Sequence, residues 1–169
     1  VMFGQIYVLP LVTRFLDLYP DVSVRLLFLD RVTNLVDEGI DVAIRIGHLP
    51  DSSHSAIRVG AVRQVVCGAP DYFARAGVPE VPDDLTSHRI IAATSAYAST
   101  DWTFGRNTRL TVRVKPALMC NSNPAVIAAA KTGWGITRVL SYQVGAELAE
   151  GSLVTALDDF EEAPLPVHI

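Results

Sequence analysis

Asn121-Ser122-Asn123, set directly before Pro124 and an alanine-rich stretch, is the most chemically suggestive run in this chain. Pro124 reads as the first residue of a helix, and amide and hydroxyl groups beside the free N–H groups of a helix start suit a carboxylate or another anion. Plain N-capping by Asn123 accounts for the same residues. His48 and His54 share a polar loop and are metal-like in type, but no carboxylate or cysteine spacing completes a ligand set, and surface loop histidines explain them. Asp83-Asp84 and Asp158-Asp159 with Glu161-Glu162 offer paired carboxylates for acid–base work, or simply solvated faces. Ser52, Ser95 and Ser141 lack the G-x-S-x-G turn that exposes a nucleophile. Cys67, between Val66 and Gly68, reads as a small buried hydrophobe. Gly133-Trp134-Gly135 lacks the third glycine and the Lys-Ser/Thr pair of a phosphate loop, so a helix end followed by a strand entry accounts for it. Met2-Phe3-Gly4 could floor a pocket or merely pack. The residues thus offer polar groups that could hold a ligand, and no metal, cofactor or catalytic set.

The elements that position these groups follow from spacing and punctuation. Leu9, Val12, Phe15, Leu16 and Tyr19 have helical spacing, and Pro20 stops that helix; Pro10 either kinks it or occupies its first turn. Val22–Leu29 and Asp41–Ile46 read as strands around a short helix over Val32–Glu38 closed by Gly39, a βαβ unit implying a mostly parallel sheet. Gly47–Ser55 is a loop directly after a strand end, where α/β proteins bind ligands. Ala56–Gly68 is strand-like, and Pro70–Gly77 is a helix with proline at its start and glycine past its end. Val78–Leu85 is a proline-spaced connector. Arg89–Ala93, Trp102–Phe104 and Leu110–Val114 are strands, the last two forming a hairpin through Gly105–Thr108. A helix over Ala125–Lys131, a strand over Gly135–Leu140, a helix from Ser141 to about Glu150, and strands at Leu153–Leu157 and from Leu165 complete the order. The central section, about Gly68 to Val139, has its own helices and hairpin. Two α/β lobes are therefore expected, joined by strands near Val65–Gly68 and Ile136–Val139 that form a hinge around a cleft.

Half of the 169 residues are hydrophobic and 19% are charged, which fits a folded chain with a proper core. Fourteen basic residues against eighteen acidic ones give a net charge of -4, which argues against a broad nucleic-acid footprint. Cys67 and Cys120 stand far apart without a CxxC partner, so a reducing compartment is expected and a disulfide framework is not. No apolar run is long enough to span a bilayer, and no signal-peptide pattern opens the chain. The chain starts at Val1 and stops within the β-prone Val167-His168-Ile169, and is expected to be a piece of a longer protein.

The order Phe15-Leu-Asp-Leu-Tyr-Pro20, Asp41-Val-Ala-Ile-Arg-Ile-Gly47 with Asp51-Ser-Ser53, Gly68-Ala-Pro-Asp-Tyr-Phe-Ala-Arg-Ala-Gly77, Pro82-Asp-Asp-Leu85 with His88, and Gly133-Trp-Gly-Ile136 leading to Gly151-Ser-Leu153 resembles the effector-binding domain of LysR-type transcriptional regulators. The resemblance covers essentially the whole chain. It implies an α/β fold like that of class II periplasmic binding proteins, with two Rossmann-like lobes: 1–67 and 140–169 form the first, 68–139 the second. Val65, Val66, Cys67 and Gly68, with Ile136, Thr137, Arg138 and Val139, become the hinge. The implied cleft is lined by Val1, Met2, Phe3, Asp30, Arg31, Gly47, His48, Thr94, Ser95, Asn121, Ser122 and Asn123.

In the same way the resemblance implies a small-molecule effector, a cytoplasmic homodimer or homotetramer, RNA polymerase as a further partner, and DNA contacted only through an N-terminal helix-turn-helix outside this chain. It implies no enzyme activity, cofactor, metal or membrane partner. Leu140 departs from the family, many members of which carry proline there. Two rivals share the scaffold: a solute-binding protein of a transport system, and an enzyme such as a deaminase or prephenate dehydratase, which needs an acid–base pair or nucleophile facing the cleft.

Overall fold

In the computed structural model, which describes residues 1–31, 33–50, 55–94 and 99–169, the chain forms two compact units, Val1–Asn34 and Leu35–Ile169. The first unit is built on α1 (Leu9–Leu18), which carries Pro10 in its first turn and ends where the Tyr19 N–H reaches the Phe15 carbonyl at 3.0 Å. The five residues ahead of it, Gly4–Val8, wind as a π-helix, with the Leu9 N–H reaching back to Gly4. Pro10 has no N–H to give the Ile6 carbonyl, and its ring would crowd that carbonyl in a regular turn; a wider turn relieves both. Val22–Leu29, expected as a strand, joins no ladder among the described residues. Its β-prone composition is real, but a strand exists only as a pairing, and the described residues of its unit contribute no second one.

The second unit opens on a turn where a helix was expected. The Gly39 N–H bonds to Val36 at 3.2 Å and the Ile40 N–H to Leu35 at 2.8 Å, with Gly39 at φ 61°. That pair of bonds is a Schellman closure, so Leu35–Gly39 is one helical turn capped as soon as it forms. Val32 lies outside the described residues. The expected βαβ unit is therefore not made. Of Asp41–Ile46 only β1 (Arg45–Ile46) pairs, and its partner is the antiparallel β10 (Leu165–His168), whose other side carries β2 (Arg58–Val62), also antiparallel.

Ala56–Gly68 does not run as one strand. It breaks at Arg63, so that β2 belongs to the three-stranded sheet and β3 (Gln64–Gly68) to a five-stranded one. That larger sheet has the order β7-β4-β8-β3-β9, with β4 (Ile90–Ala93), β7 (Pro116–Cys120), β8 (Ile136–Leu140) and β9 (Val154–Ala156). It is mixed rather than mostly parallel: β4 runs parallel to β7 and β8, whereas β3 is antiparallel to β8 and β9. The expected crossing strands are ladder partners, with Val65 opposite Val139, Val66 opposite Arg138, Cys67 opposite Thr137 and Gly68 opposite Ile136.

Helices α2 (Pro70–Ala76), α3 (Asn123–Lys131) and α4 (Gly145–Glu150) flank the sheet, and β5 (Asp101–Phe104) and β6 (Leu110–Arg113) form the expected hairpin. The proline-spaced connector closes into a 3-10 helix over Pro82–Ser87, and a second 3-10 turn, Ser141–Gln143, precedes α4 where one continuous helix was expected. Phe73, Leu85, Ile90, Trp102, Phe104 and Ile136 fill the core between hairpin and sheet. Each such side chain contributes roughly 1.5–3 kcal/mol when buried. Entry into β8 is tight: the Ile136 N–H bonds to the Arg89 carbonyl at 2.8 Å, and a Cβ on Gly135 would collide with that same carbonyl.

Candidate functional site

Because β4 and β7 are parallel neighbours, their carboxyl ends finish side by side, with Ala93 opposite Cys120. The pairing continues one residue further, as the Thr94 N–H donates to the Cys120 carbonyl at 2.7 Å. Thr94 therefore lies beside Asn121, at the point where the chain leaves the sheet and enters α3. Ser122, not Asn123, is the N-cap: its Oγ accepts the Ala125 N–H at 3.4 Å, and Asn123 and Pro124 occupy the first helical positions. At that length the bond is weak and leaves the hydroxyl free to engage a ligand. The edge thus gathers a threonine hydroxyl, two amides, a serine hydroxyl and the Asn123 N–H at the start of a nine-residue helix, Pro124 having no N–H and the Ala125 and Val126 N–H groups being bonded to Ser122; the arrangement suits a small polar or anionic group.

The remaining expected site residues lie on other elements. Gly47 and His48 follow β1 in the same unit; the Gly47 N–H is tied to the Pro166 carbonyl at 2.8 Å and His48 is exposed. Among the described residues no hydrogen bond or ion pair joins His48 to Thr94 or Asn121–Asn123. Val1, Met2, Phe3, Asp30 and Arg31 belong to the first unit, where the Val1 nitrogen donates to the Asp30 carboxylate and the Phe3 and Tyr7 rings lie 5.1 Å apart. Ser95, Ser52 and His54 lie outside the described residues.

Four of the six paired acids hold structural bonds, and Asp83 and Asp159 are exposed. Asp84 Oδ2 accepts the N–H groups of Val81 at 3.0 Å and Glu80 at 2.9 Å, and these bonds hold its carboxyl below the usual range. Asp158 accepts from Thr155 Oγ1 at 2.9 Å. Glu161 and Glu162 each capture an arginine: Arg63 Nη1 lies 2.9 and 3.1 Å from the two Glu161 oxygens, and Arg138 Nη2 lies 2.9 Å from Glu162. Ser141 Oγ accepts the Arg63 N–H at 3.2 Å, so it is a strand clasp rather than a nucleophile. Burial, and then the charge of Glu147, push the Cys67 thiol up to about 12, which leaves it unreactive. Among the described residues no group of three His, Cys, Asp or Glu could hold a metal ion.

What this scaffold defines is an α/β domain of the periplasmic-binding-protein-like fold with a polar strand-end site. Residues 1–169 match the description "LysR substrate binding domain" over their full length, and the chain belongs to that family, the effector-binding regulatory domain of LysR-type transcriptional regulators. It is 27% identical over 168 residues to an uncharacterized HTH-type transcriptional regulator of Haemophilus influenzae, covering 99% of this chain and 58% of the relative. It is 31% identical over 160 residues to the HTH-type transcriptional activator AaeR of Escherichia coli, covering 94% and 52%. The regulatory domain of AphB from Vibrio vulnificus shares the fold, with a TM-score of 0.86, 23% identity and coverage of 98% of this chain and 84% of that one. The chain spans about half the length of the curated relatives it matches. These likenesses favour a regulator over a transport solute-binding protein.

Proposed function

We propose that this domain senses a small anionic or polar organic effector at the carboxyl ends of β4 and β7, through Thr94, Asn121, Ser122 and Asn123, with Gly47 and His48 contributing from the end of β1. The observation that carries this reading is the Thr94–Cys120 bond, which sets a polar strand end beside the start of α3. Residues 68–139 act as one lobe, and residues 35–67 and 140–169 of the same unit belong to the other. Closure turns on Val65–Gly68 and Ile136–Val139, and the effector shifts this equilibrium by its differential affinity for the closed form.

In the whole protein this domain governs a cytoplasmic homodimer or homotetramer that reads operator DNA through a helix-turn-helix outside these 169 residues, with RNA polymerase as its downstream partner, and the domain catalyses no reaction. The family match, and relatives named as transcriptional regulators, support this reading over a deaminase or a dehydratase. A thermal-shift screen of small carboxylates and aromatics supplies the ligand. Calorimetry on Ser122→Ala and His48→Ala is then expected to show affinity lowered roughly tenfold or more, the worth of one hydrogen bond to a charged ligand. Unchanged affinity in both, with normal folding, places the ligand elsewhere.

A further inference from the structure

The net charge of -4 conceals a sharp asymmetry. From Trp102 to Ala146 the chain contains no Asp or Glu but carries Arg106, Arg109, Arg113, Lys115, Lys131 and Arg138, leaving eight of the fourteen cations and all eighteen acids to the rest. Four of these cations lie on the β5–β6 hairpin or directly after it, and all four are exposed. The hairpin's inner face, with Trp102, Phe104, Val112 and Val114, is buried. Arg109, Thr111, Arg113 and Lys115 alternate with that buried set, so they share the outer face at a repeat of roughly 7 Å per two residues. Arg106 extends the row into the connecting loop. Asp101 is the one acid on the ribbon, 3.8 Å from Arg113. Arg106, Arg109 and Lys115 make no ion pair with any described residue.

We propose that this basic ribbon is a docking surface for the phosphate backbone of duplex DNA, contacted without regard to sequence. The proposal rests on reading the chain as part of a DNA-binding regulator. Three of the four cations are arginines, whose planar guanidinium matches phosphate bidentately. The ribbon's two-residue step of roughly 7 Å is about twice the roughly 3.4 Å axial rise per phosphate on each strand of the duplex. A chain of net negative charge repels a polyanion as a whole, but over a Debye length of about 8 Å only the local row is felt. Duplex held by another part of the same protein meets the ribbon at high effective concentration, so a site weak in free solution becomes occupied. This adds backbone contacts from the regulatory domain to the expectation that DNA is touched only through a helix-turn-helix.

The test is fluorescence anisotropy of a labelled random-sequence duplex titrated with the 169-residue chain at about 50 and about 200 mM salt. Four phosphate contacts predict a slope of log K against log salt of about -3.6, a loss of roughly a hundredfold across that range, and equal affinity for any duplex. The quadruple variant Arg106→Gln, Arg109→Gln, Arg113→Gln, Lys115→Gln is expected to lose binding. The loop pair Arg106→Gln, Arg109→Gln should reduce the slope by about half, and Arg14→Gln, Arg25→Gln, exposed in the first unit, should leave it unchanged. No duplex binding at the lower salt overturns the proposal. So does an unaltered slope in a folded quadruple variant, or poly-glutamate binding as tightly with the same salt dependence, which would assign the ribbon to an acidic protein. None of these readouts involves the effector, so the site at β4 and β7 stands or falls separately.

Discussion

Arg138 offers the sharpest test of how the crossing strands are held. Its side chain is 6% exposed, donates to the Thr103 carbonyl at 2.6 Å and to Glu162 at 2.9 Å, and lies over Phe104 with 4.8 Å from guanidinium carbon to ring centre. One strand thereby grips both the hairpin and the Glu161–Glu162 segment. Its Nε is buried without a hydrogen-bond partner, and burial pulls the guanidinium pKa down against the opposing effect of Glu162. The cation is therefore poorly solvated and depends on its carboxylate. Arg138→Met keeps the packed stem but removes both bonds; breaking a buried pair from one side costs about 3–5 kcal/mol, and Glu162, about a third exposed, rehydrates enough to place the loss near the lower end. Glu162→Gln keeps the shape, removes the charge, and should cost about 1–2 kcal/mol after solvent screening. Urea unfolding of both single variants and the double variant gives a coupling energy, expected at about 1–2 kcal/mol. A coupling under about 0.5 kcal/mol, or one abolished by moderate salt as for an exposed pair, would refute this account of the clasp.

Three further outcomes follow from local geometry. The Arg89 N–H donates to Tyr72 Oη at 2.9 Å, and Tyr72 Oη shares a 3.2 Å hydrogen bond with His88 Nδ1; burial holds the His88 pKa below 6.5 against the opposing charge of Asp84. The unfolded chain then binds the proton more readily, so this contribution is full above pH 6.5 and is lost as pH falls through that value toward the folded pKa; pH-dependent urea midpoints should show the loss, and His88→Gln should remove it. Cys67, with its thiol pushed up to about 12, should resist iodoacetamide in the native protein while the half-buried Cys120 is alkylated, as read by peptide mass spectrometry; labelling of Cys67 at the Cys120 rate contradicts its burial. Gly135→Ala should destabilise by about 1–3 kcal/mol through its collision with the Arg89 carbonyl, whereas Gly60→Ala, with nothing within 4 Å of the new Cβ, should change denaturant unfolding by less than about 1 kcal/mol.

Local punctuation made part of this fold legible. Pro70 and Gly77 bracket α2, and the alternation of Leu110–Val114 against Trp102–Phe104 yields the hairpin, because proline, glycine and period-two burial act within a few residues. Pairing is not local, and there the reading fails. Val22–Leu29 has strand composition without a ladder, whereas Pro116–Cys120, made of Pro, Ala, Leu, Met and Cys, carries little β-propensity and becomes β7 because β4 offers a parallel neighbour. The break at Arg63 was equally invisible, since Val62 and Gln64 continue the run while joining different sheets. Of the candidate site, Asn121–Asn123 was legible from Pro124 and the amide run. The adjacency of Thr94 depends on the register of β4 and β7, which no motif encodes. Glu161 and Glu162 were visible as an acidic pair, but their arginines lie 98 and 24 residues away in sequence.

Amide chemical-shift mapping with an effector found by the thermal-shift screen locates the binding site residue by residue. The largest perturbations are expected at Thr94, Asn121, Ser122, Asn123 and Ala125, around the strand ends and the first turn of α3, and Asn121→Ala should weaken the titration without moving the melting temperature of the free protein. Saturable binding whose shifts spare those residues, or an Asn121→Ala variant that binds as tightly as the parent, would contradict the proposed site.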